Sequence, residues 1–303
     1  MIDSVPPQLE PTRKDVETRG PRALGDARSE RAPMPAASAL LELPQPLHLF
    51  EFLTGTGHYH YGLFSWNEEL PQALERMAMA GVAHIEPGAR VLDVGCGLGG
   101  TSDLLAQKGY DVLGIDPCPR SIGYARSRFR RSRANFLQTD FASFATEAFA
   151  TEGGGRHFDA LLFIEVLQHF PSLPDFFAFC DRLLDVGARI VVLDLAVVPV
   201  LPWSKVPCHR VGALAEMAGH RGYEVVERTN LTYDTLPTLP SFLQEMERRR
   251  EEVVAYFQRH RPGVRRELAQ LMRHMRAVHT GFRMGDLVFE FSVFEKTTDH
   301  RRL

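Results

Sequence analysis

The stretch Val91-Leu92-Asp93-Val94-Gly95-Cys96-Gly97-Leu98-Gly99-Gly100 reads as a short apolar strand that enters a glycine turn and then a helix. Glycines at 95 and 97 let the backbone approach a ligand closely and reach dihedrals closed to residues with a Cβ. Gly95, Gly97 and Gly100 also satisfy the spacing of a dinucleotide-binding turn, so the glycines alone leave the ligand open.

Working outward from this turn, short apolar runs alternate with amphipathic stretches of helical length, the pattern of a parallel sheet wrapped by crossover helices. Strands are predicted at Val91–Val94, Val112–Asp116, Phe136–Gln138, Ala160–Ile164, Ile190–Asp194, Tyr223–Thr229 and Leu287–Phe294. One helix opens at Gly100 and stops at Gly109, and another starts near Pro174 and ends before Gly187. The expected fold is a doubly wound α/β sheet of seven strands, mostly parallel.

The chain divides by composition into a disordered leader at 1–38, an N-terminal helical and aromatic cap at 39–80, the core at 81–238, a helical insertion at 239–281, and a last strand and tail at 282–303. The leader is rich in proline and carries Asp3, Glu10, Asp15, Glu17, Asp26 and Glu30, acids that a transit peptide lacks. In the insertion, Phe242, Met246, Val253 and Phe257 recur on one helical face, and Leu268, Leu271, Met275 and Val278 on another, after a Pro262-Gly263 break. Such helices either pack as extra core or form a lid over the carboxyl ends of the strands, where open α/β sheets bind ligands. As a lid they would line an acceptor site through Phe242, Met246 and Met275, and Gly281 and Gly285 would serve as its hinge.

Three acids narrow the ligand. Asp93 lies inside the first strand, where a dinucleotide site wants no negative charge near pyrophosphate and a cationic ammonium is better served. Asp116 ends the second strand about 20 residues beyond the turn, placed to accept both hydroxyls of a ribose. Asp140 ends the third, where it can accept from the exocyclic amine of adenine while Phe141 or Ile115 covers the ring. Each acid alone reads as an ordinary strand-end cap; the three in one register leave no place for phosphates.

With these motifs the sequence resembles the class I S-adenosylmethionine-dependent methyltransferases, from about Tyr59 to the end. The matching segments are Val91 to Gly100, Gly114-Ile115-Asp116, Thr139-Asp140-Phe141 and the run from Ile164 to Phe170. The resemblance implies S-adenosylmethionine as cofactor, held by Asp93, Gly95, Cys96, Gly97, Asp116, Pro117, Asp140, Phe141 and Glu165. The segment His58-Tyr59-His60-Tyr61-Gly62 is similar to one found in the cyclopropane fatty acid synthase branch and related small-molecule methyltransferases, where the tyrosine matching Tyr59 closes over the cofactor carboxylate. Cyclopropane synthases carry a Glu-His pair after the fourth strand, and its glutamate helps hold bicarbonate. This chain has Gln168-His169, which places methyl transfer to O, N or C of a small organic acceptor, as in secondary metabolism, ahead of cyclopropanation. Two other readings remain: a non-methylating, cyclase-like enzyme on the same scaffold, and a nicotinamide-dependent dehydrogenase.

Methyl transfer is an in-line displacement for which the protein supplies mainly alignment and exclusion of water. A base is needed only where the attacking atom is protonated, and the catalytic candidates are His169, Tyr61 and Asp194. The alternatives are a helix-start histidine bonded to backbone for His169, core packing for Tyr61 and its neighbour His60, and a strand cap for Asp194.

Bulk properties exclude several classes. A net charge of -3 provides no global field for nucleic acid. The richest apolar stretch, Ile190 to Trp203, is broken by Asp194, Pro199 and Pro202, so no membrane span is expected. Cys96, Cys118, Cys180 and Cys208 show neither zinc-site nor disulfide spacing, which fits a reducing cytoplasm and no metal. A small-molecule acceptor is the expected partner, and a homodimer stays open.

Overall fold

Successive side chains of a strand point to opposite faces, and here both faces are apolar. The computed structural model describes residues 47–150, 157–170, 172–198, 208–260 and 264–298; the leader read at 1–38 and the Pro262-Gly263 break lie outside them. In chain order the elements are α1 (Leu47–Thr54), α2 (Leu70–Ala80), β1 (Arg90–Val94), α3 (Gly100–Gln107), β2 (Asp111–Asp116), α4 (Pro119–Arg128), β3 (Asn135–Gln138), α5 (Phe141–Ala150), β4 (Phe158–Ile164), a 3-10 turn (Leu167–His169), α6 (Leu173–Leu183) and β5 (Leu184–Val197). They are followed by β6 (His209–Arg210), α7 (Ala213–His220), β7 (Tyr223–Asn230), α8 (Thr232–Thr235), α9 (Thr238–Arg248), α10 (Arg250–His260), α11 (Val264–Met284) and β8 (Leu287–Lys296).

The sheet order is β3-β2-β1-β4-β5-β8-β7, with β6 beside the end of β5. Strands β1 to β6 pair in parallel, and β8 runs antiparallel to both β5 and β7. Leu92 and Val94 face the layer of α5, α6 and α7, where Phe163, Phe176 and Phe177 are fully buried and meet edge to face. Val91, Leu162 and Val191 face the opposite layer, built from α2, α3 and α11. Burying one such side chain contributes about 1.5 to 3 kcal/mol, so the two layers fix which way Asp93 points: towards α3. The order of strands reverses between β1 and β4, which opens a crevice above their carboxyl ends.

The expected α/β sheet is present, with differences that have physical causes. The two-residue β6 adds an eighth strand. Helix α6 ends at Leu183, before Gly187 as expected; what differs is β5, which starts as early as Leu184, paired with Phe158. The insertion's first helical face is two helices, α9 and α10. Arg249 breaks the line by turning back to α1, where its guanidinium lies 4.4 Å over the Phe52 ring and donates to Phe52 O at 2.8 Å. Gly281 is no hinge: it lies inside α11, where a Cβ would come within 2.8 Å of Leu287. Gly285, at φ 77°, ends the helix. Among the described residues no helix is long and apolar enough to cross a membrane.

Helices α1, α2, α9, α10 and α11 share a small core of their own. Leu49, Phe50, Leu53, Leu74, Phe242 and Met275 meet in it, with Phe50 stacked on Phe242 at 4.9 Å. Phe242 and Met246 pack in this core, and of the three residues expected to line an acceptor site only Met275 reaches the cleft described below.

Candidate functional site

A cleft of about 820 Å³ opens at the carboxyl ends of β1, β2, β3 and β4. Its wall includes Tyr59, Tyr61, Asp93, Gly95, Cys96, Gly97, Asp116, Pro117, Asp140, Phe141, Glu165 and His169, so nearly every residue singled out in the sequence meets here. Asp194 does not. Its carboxylate lies beneath the cleft and accepts from Leu167 N and Leu195 N, each at 2.7 Å, so it fixes the turn after β4 and is not placed to act as a base.

The glycine turn is built from both sides. Gly95 N and Cys96 N donate to Ile115 O, and Gly95 and Gly97 adopt φ of 73° and 53°, which favours glycine. A Cβ on Gly95 would press within 2.7 Å of Val166, so the turn after β4 packs directly on the glycine turn. Asp93, facing α3, accepts from Ser102 Oγ at 2.6 Å. Burial pushes its carboxyl up to about 6, with the nearby charge of Asp116 adding to the shift. Asp116 accepts from Gly97 N at 3.1 Å and Cys118 N at 2.8 Å, and burial raises its pKa. A carboxylate offers about four lone-pair sites, so Asp116 can hold the turn and still accept from a ligand. Asp140 caps α5: its oxygens accept from Ser143 N at 2.9 Å and Ser143 Oγ at 2.7 Å, which hold its carboxyl below the usual range.

The arm between α1 and α2 forms the opposite wall. Gly100 N donates to Gly57 O at 3.1 Å, and Gly57 N donates to Glu51 Oε2 at 2.6 Å. The buried Glu51 also accepts from Tyr124 Oη at 2.8 Å and lies beside Arg128, so an acid inside α1 ties the arm to α4. Nothing in the sequence motifs pointed to Glu51, although a lone acid in the apolar run LHLFEFLT was a visible signal.

His58 opens the aromatic segment, but its pairing with His60 is not legible from it. His60 Nδ1 donates to Tyr61 O at 2.8 Å, which leaves its Nε2 to accept from His58 Nδ1 at 3.2 Å. Burial keeps both imidazoles uncharged, with His60 lowered to about 4 and His58 well below its ordinary value. Tyr59 packs edge-on against Phe50 at 5.3 Å, Tyr61 against Phe282 at 5.6 Å, and Thr238 Oγ1 accepts from Gly62 N at 3.0 Å. His169 stands exposed in the 3-10 turn at the mouth.

Glu165 has a φ of 55° and a side chain inside the cleft that accepts from Tyr61 N. Burial, with the charge of Asp194, pushes its carboxyl up to about 8. A carboxyl with a raised folded pKa contributes stability that is complete below its unfolded value and is lost as pH rises through the folded one. For Glu165 that loss continues up to about pH 8, whereas the two lowered histidines alter stability only below about pH 6.5. The melting temperature of the ligand-free protein is therefore expected to fall from pH 6.5 to pH 8. Glu165→Gln should flatten that fall, and a level wild-type curve would contradict the assignment.

Comparison with known proteins agrees with this geometry. A family model described as a methyltransferase domain matches residues 63–249. The chain is 27% identical over 178 residues to the ubiquinone biosynthesis O-methyltransferase of Rhizobium johnstonii, covering 53% of this chain and 70% of that protein. To the enzyme of the same name from Roseobacter denitrificans it is 38% identical over 108 residues, 36% of this chain and only 42% of that protein. In fold it is similar to a cyclopropane synthase of Mycobacterium tuberculosis, with a TM-score of 0.69 at 17% identity over 87% of this chain and 99% of the other.

Proposed function

Because the chain belongs to the methyltransferase domain family, we propose that its cleft binds S-adenosylmethionine and directs the methyl group to a small organic acceptor. The observation that carries this reading is the series Asp93, Asp116 and Asp140 along one cleft around the Gly95–Gly97 turn. The residues fit the cofactor. Asp93 would take the ammonium of the amino-acid portion and Asp116 the ribose hydroxyls, both carboxyls lining the cleft. Gly97 leaves an open face for the backbone of that portion: a Cβ there would meet only Gly95 O, at 4.0 Å. Asp140 and Phe141 border the adenine end. When bound, the cofactor supplies an electrophilic methyl carbon on a positively charged sulfur.

What the chain adds is placement. The arm lines one side of the cleft and Thr238, His274 and Met275 the other, so that a bound cofactor and acceptor between them would be held in line and shielded from water. Met275 with Phe50 and Leu47 gives that space an apolar wall, which suits an aromatic or aliphatic acceptor. Transfer to oxygen is the favoured form, given the O-methyltransferase names of the relatives. His169, exposed at the mouth, is the base in this reading; burial pushes the Tyr61 phenol up and keeps it protonated, so Tyr61 is not one. The four cysteines are free thiols, in keeping with a reducing cytoplasm.

Calorimetry tests the proposal: S-adenosylmethionine and S-adenosylhomocysteine should bind and NAD should not. Binding of NAD with none of either adenosyl compound would overturn it. Acceptors are then found by a mass gain of one methyl group.

A further inference from the structure

We infer that Glu165 is the group through which the cleft senses the positive charge on the cofactor's sulfur, separating the charged methyl donor from its uncharged, demethylated product. The inference rests on the cofactor reading above and assigns Glu165 a task within it. Strand β4 lies next to β1, and Val166 packs on Gly95, so Glu165 flanks the glycine turn. Asp93 on β1 would serve the amino-acid end and Asp116 on β2 the ribose; Glu165, on β4 at the other side of Asp93, is the buried carboxyl that borders the amino-acid end, to which the sulfur belongs.

The backbone at Glu165 points the same way. A residue with a Cβ pays about 1 to 2 kcal/mol to sit in the left-handed region, and glycine would sit there freely. Glu165 is held in it from every side: its N donates to Leu193 O at 2.9 Å, Tyr61 N donates to its carboxyl, and Asp194 locks the next turn through Leu167 N. Strain of this kind, kept in place by its surroundings, marks positions where the side chain is needed.

The electrostatics give the means. Among the described residues the cleft wall carries Asp93, Asp116, Asp140, Glu165 and Asp175 and no lysine or arginine. Facing Glu165 are Tyr59 and Tyr61 on the arm, Asp194 on β5 and Cys208 ahead of β6, with Asp93 on β1 and His169 on its own turn lining the same cleft. Burial keeps the Glu165 proton in place up to about pH 8. A positive charge brought in front of the carboxyl favours its ionised form, so the proton leaves to solvent and a carboxylate remains opposite the sulfonium. The demethylated product carries a neutral thioether at the same atom and gives no such drive. Both ligands share the ammonium and the carboxylate, so these groups cancel in the difference, and Glu165→Gln assigns what remains to Glu165.

Titration calorimetry of the full chain at pH 7, in phosphate and in Tris buffer, counts protons exchanged on binding. S-adenosylmethionine should release more protons than S-adenosylhomocysteine. Glu165→Gln should abolish that difference and shrink the preference for the methyl donor by about tenfold, while Glu165→Asp retains proton release; melting curves check that both variants fold. Equal proton counts for the two ligands in the wild type, or a difference that survives in Glu165→Gln, would overturn the inference and leave the cofactor reading standing. Failure of both ligands to bind would overturn the two together.

Discussion

Asp116→Ala is expected to weaken S-adenosylhomocysteine binding by about tenfold to a hundredfold, the largest loss of any single change on the cleft wall. Hydrogen bonds to a charged group contribute about 1.5 to 3 kcal/mol, and each 1.4 kcal/mol is a factor of ten. The ribose would lose its acceptor, and so would Gly97 N and Cys118 N, which hold the glycine turn in shape. The loss has a local and a structural part; Asp116→Asn keeps an acceptor for only one of the two turn amides, so its melting temperature reads the structural part. Calorimetry reads the dissociation constants; an unchanged value in a folded Asp116→Ala protein would remove Asp116 from the site.

A second large effect is expected from Gly100→Ala. Alanine is the better helix former by about 1 kcal/mol, so α3 alone would gain. The added methyl, however, would stand 2.5 Å from Gly57 C and 2.6 Å from Thr56 O. These are backbone atoms with no rotamer to escape into, and overpacking of this kind costs about 1 to 3 kcal/mol. The arm must move, taking with it the Gly100 N to Gly57 O hydrogen bond and the wall that carries His58, Tyr59 and Tyr61. Expected results are a drop of about 5 °C in melting temperature, faster proteolysis between residues 55 and 62, and cofactor affinity lowered more than tenfold. Wild-type affinity with an intact arm would show that the arm adapts at no cost.

Much of the sheet was legible because buried parallel strands announce themselves as apolar runs, and Asp93 within β1 and Asp116 at the end of β2 stand in a fixed register to the glycine turn, whereas Asp140, expected to end the third strand, lies two residues past β3 and caps α5. Asp116 could be placed from sequence for that reason. Asp194 could not: a carboxylate at a strand end reads the same whether it points into a cleft or bonds backbone amides beneath it, and only the positions of Leu167 N and Leu195 N decide. The aromatic segment named His58 and His60, but their contact with each other was not legible because its setting is made by Thr101, distant in sequence, whose Oγ1 lies 3.2 Å from His58 Nδ1. The break between α9 and α10 escaped periodicity because Arg249 is a good helix former and breaks the line only through its contact with Phe52.

The small core shared by α1, α2, α9, α10 and α11 draws on two distant parts of the chain and meets the sheet's own layers without merging with them. On the reading proposed above, this core would shape the acceptor's side of the cleft and the strand ends would hold the methyl donor, with Phe50 against Tyr59 joining the two. Repacking Leu49, Phe242 and Met275 would then alter the proposed acceptor compartment without touching the strand ends, which would make this core the place to begin directed evolution towards new acceptors.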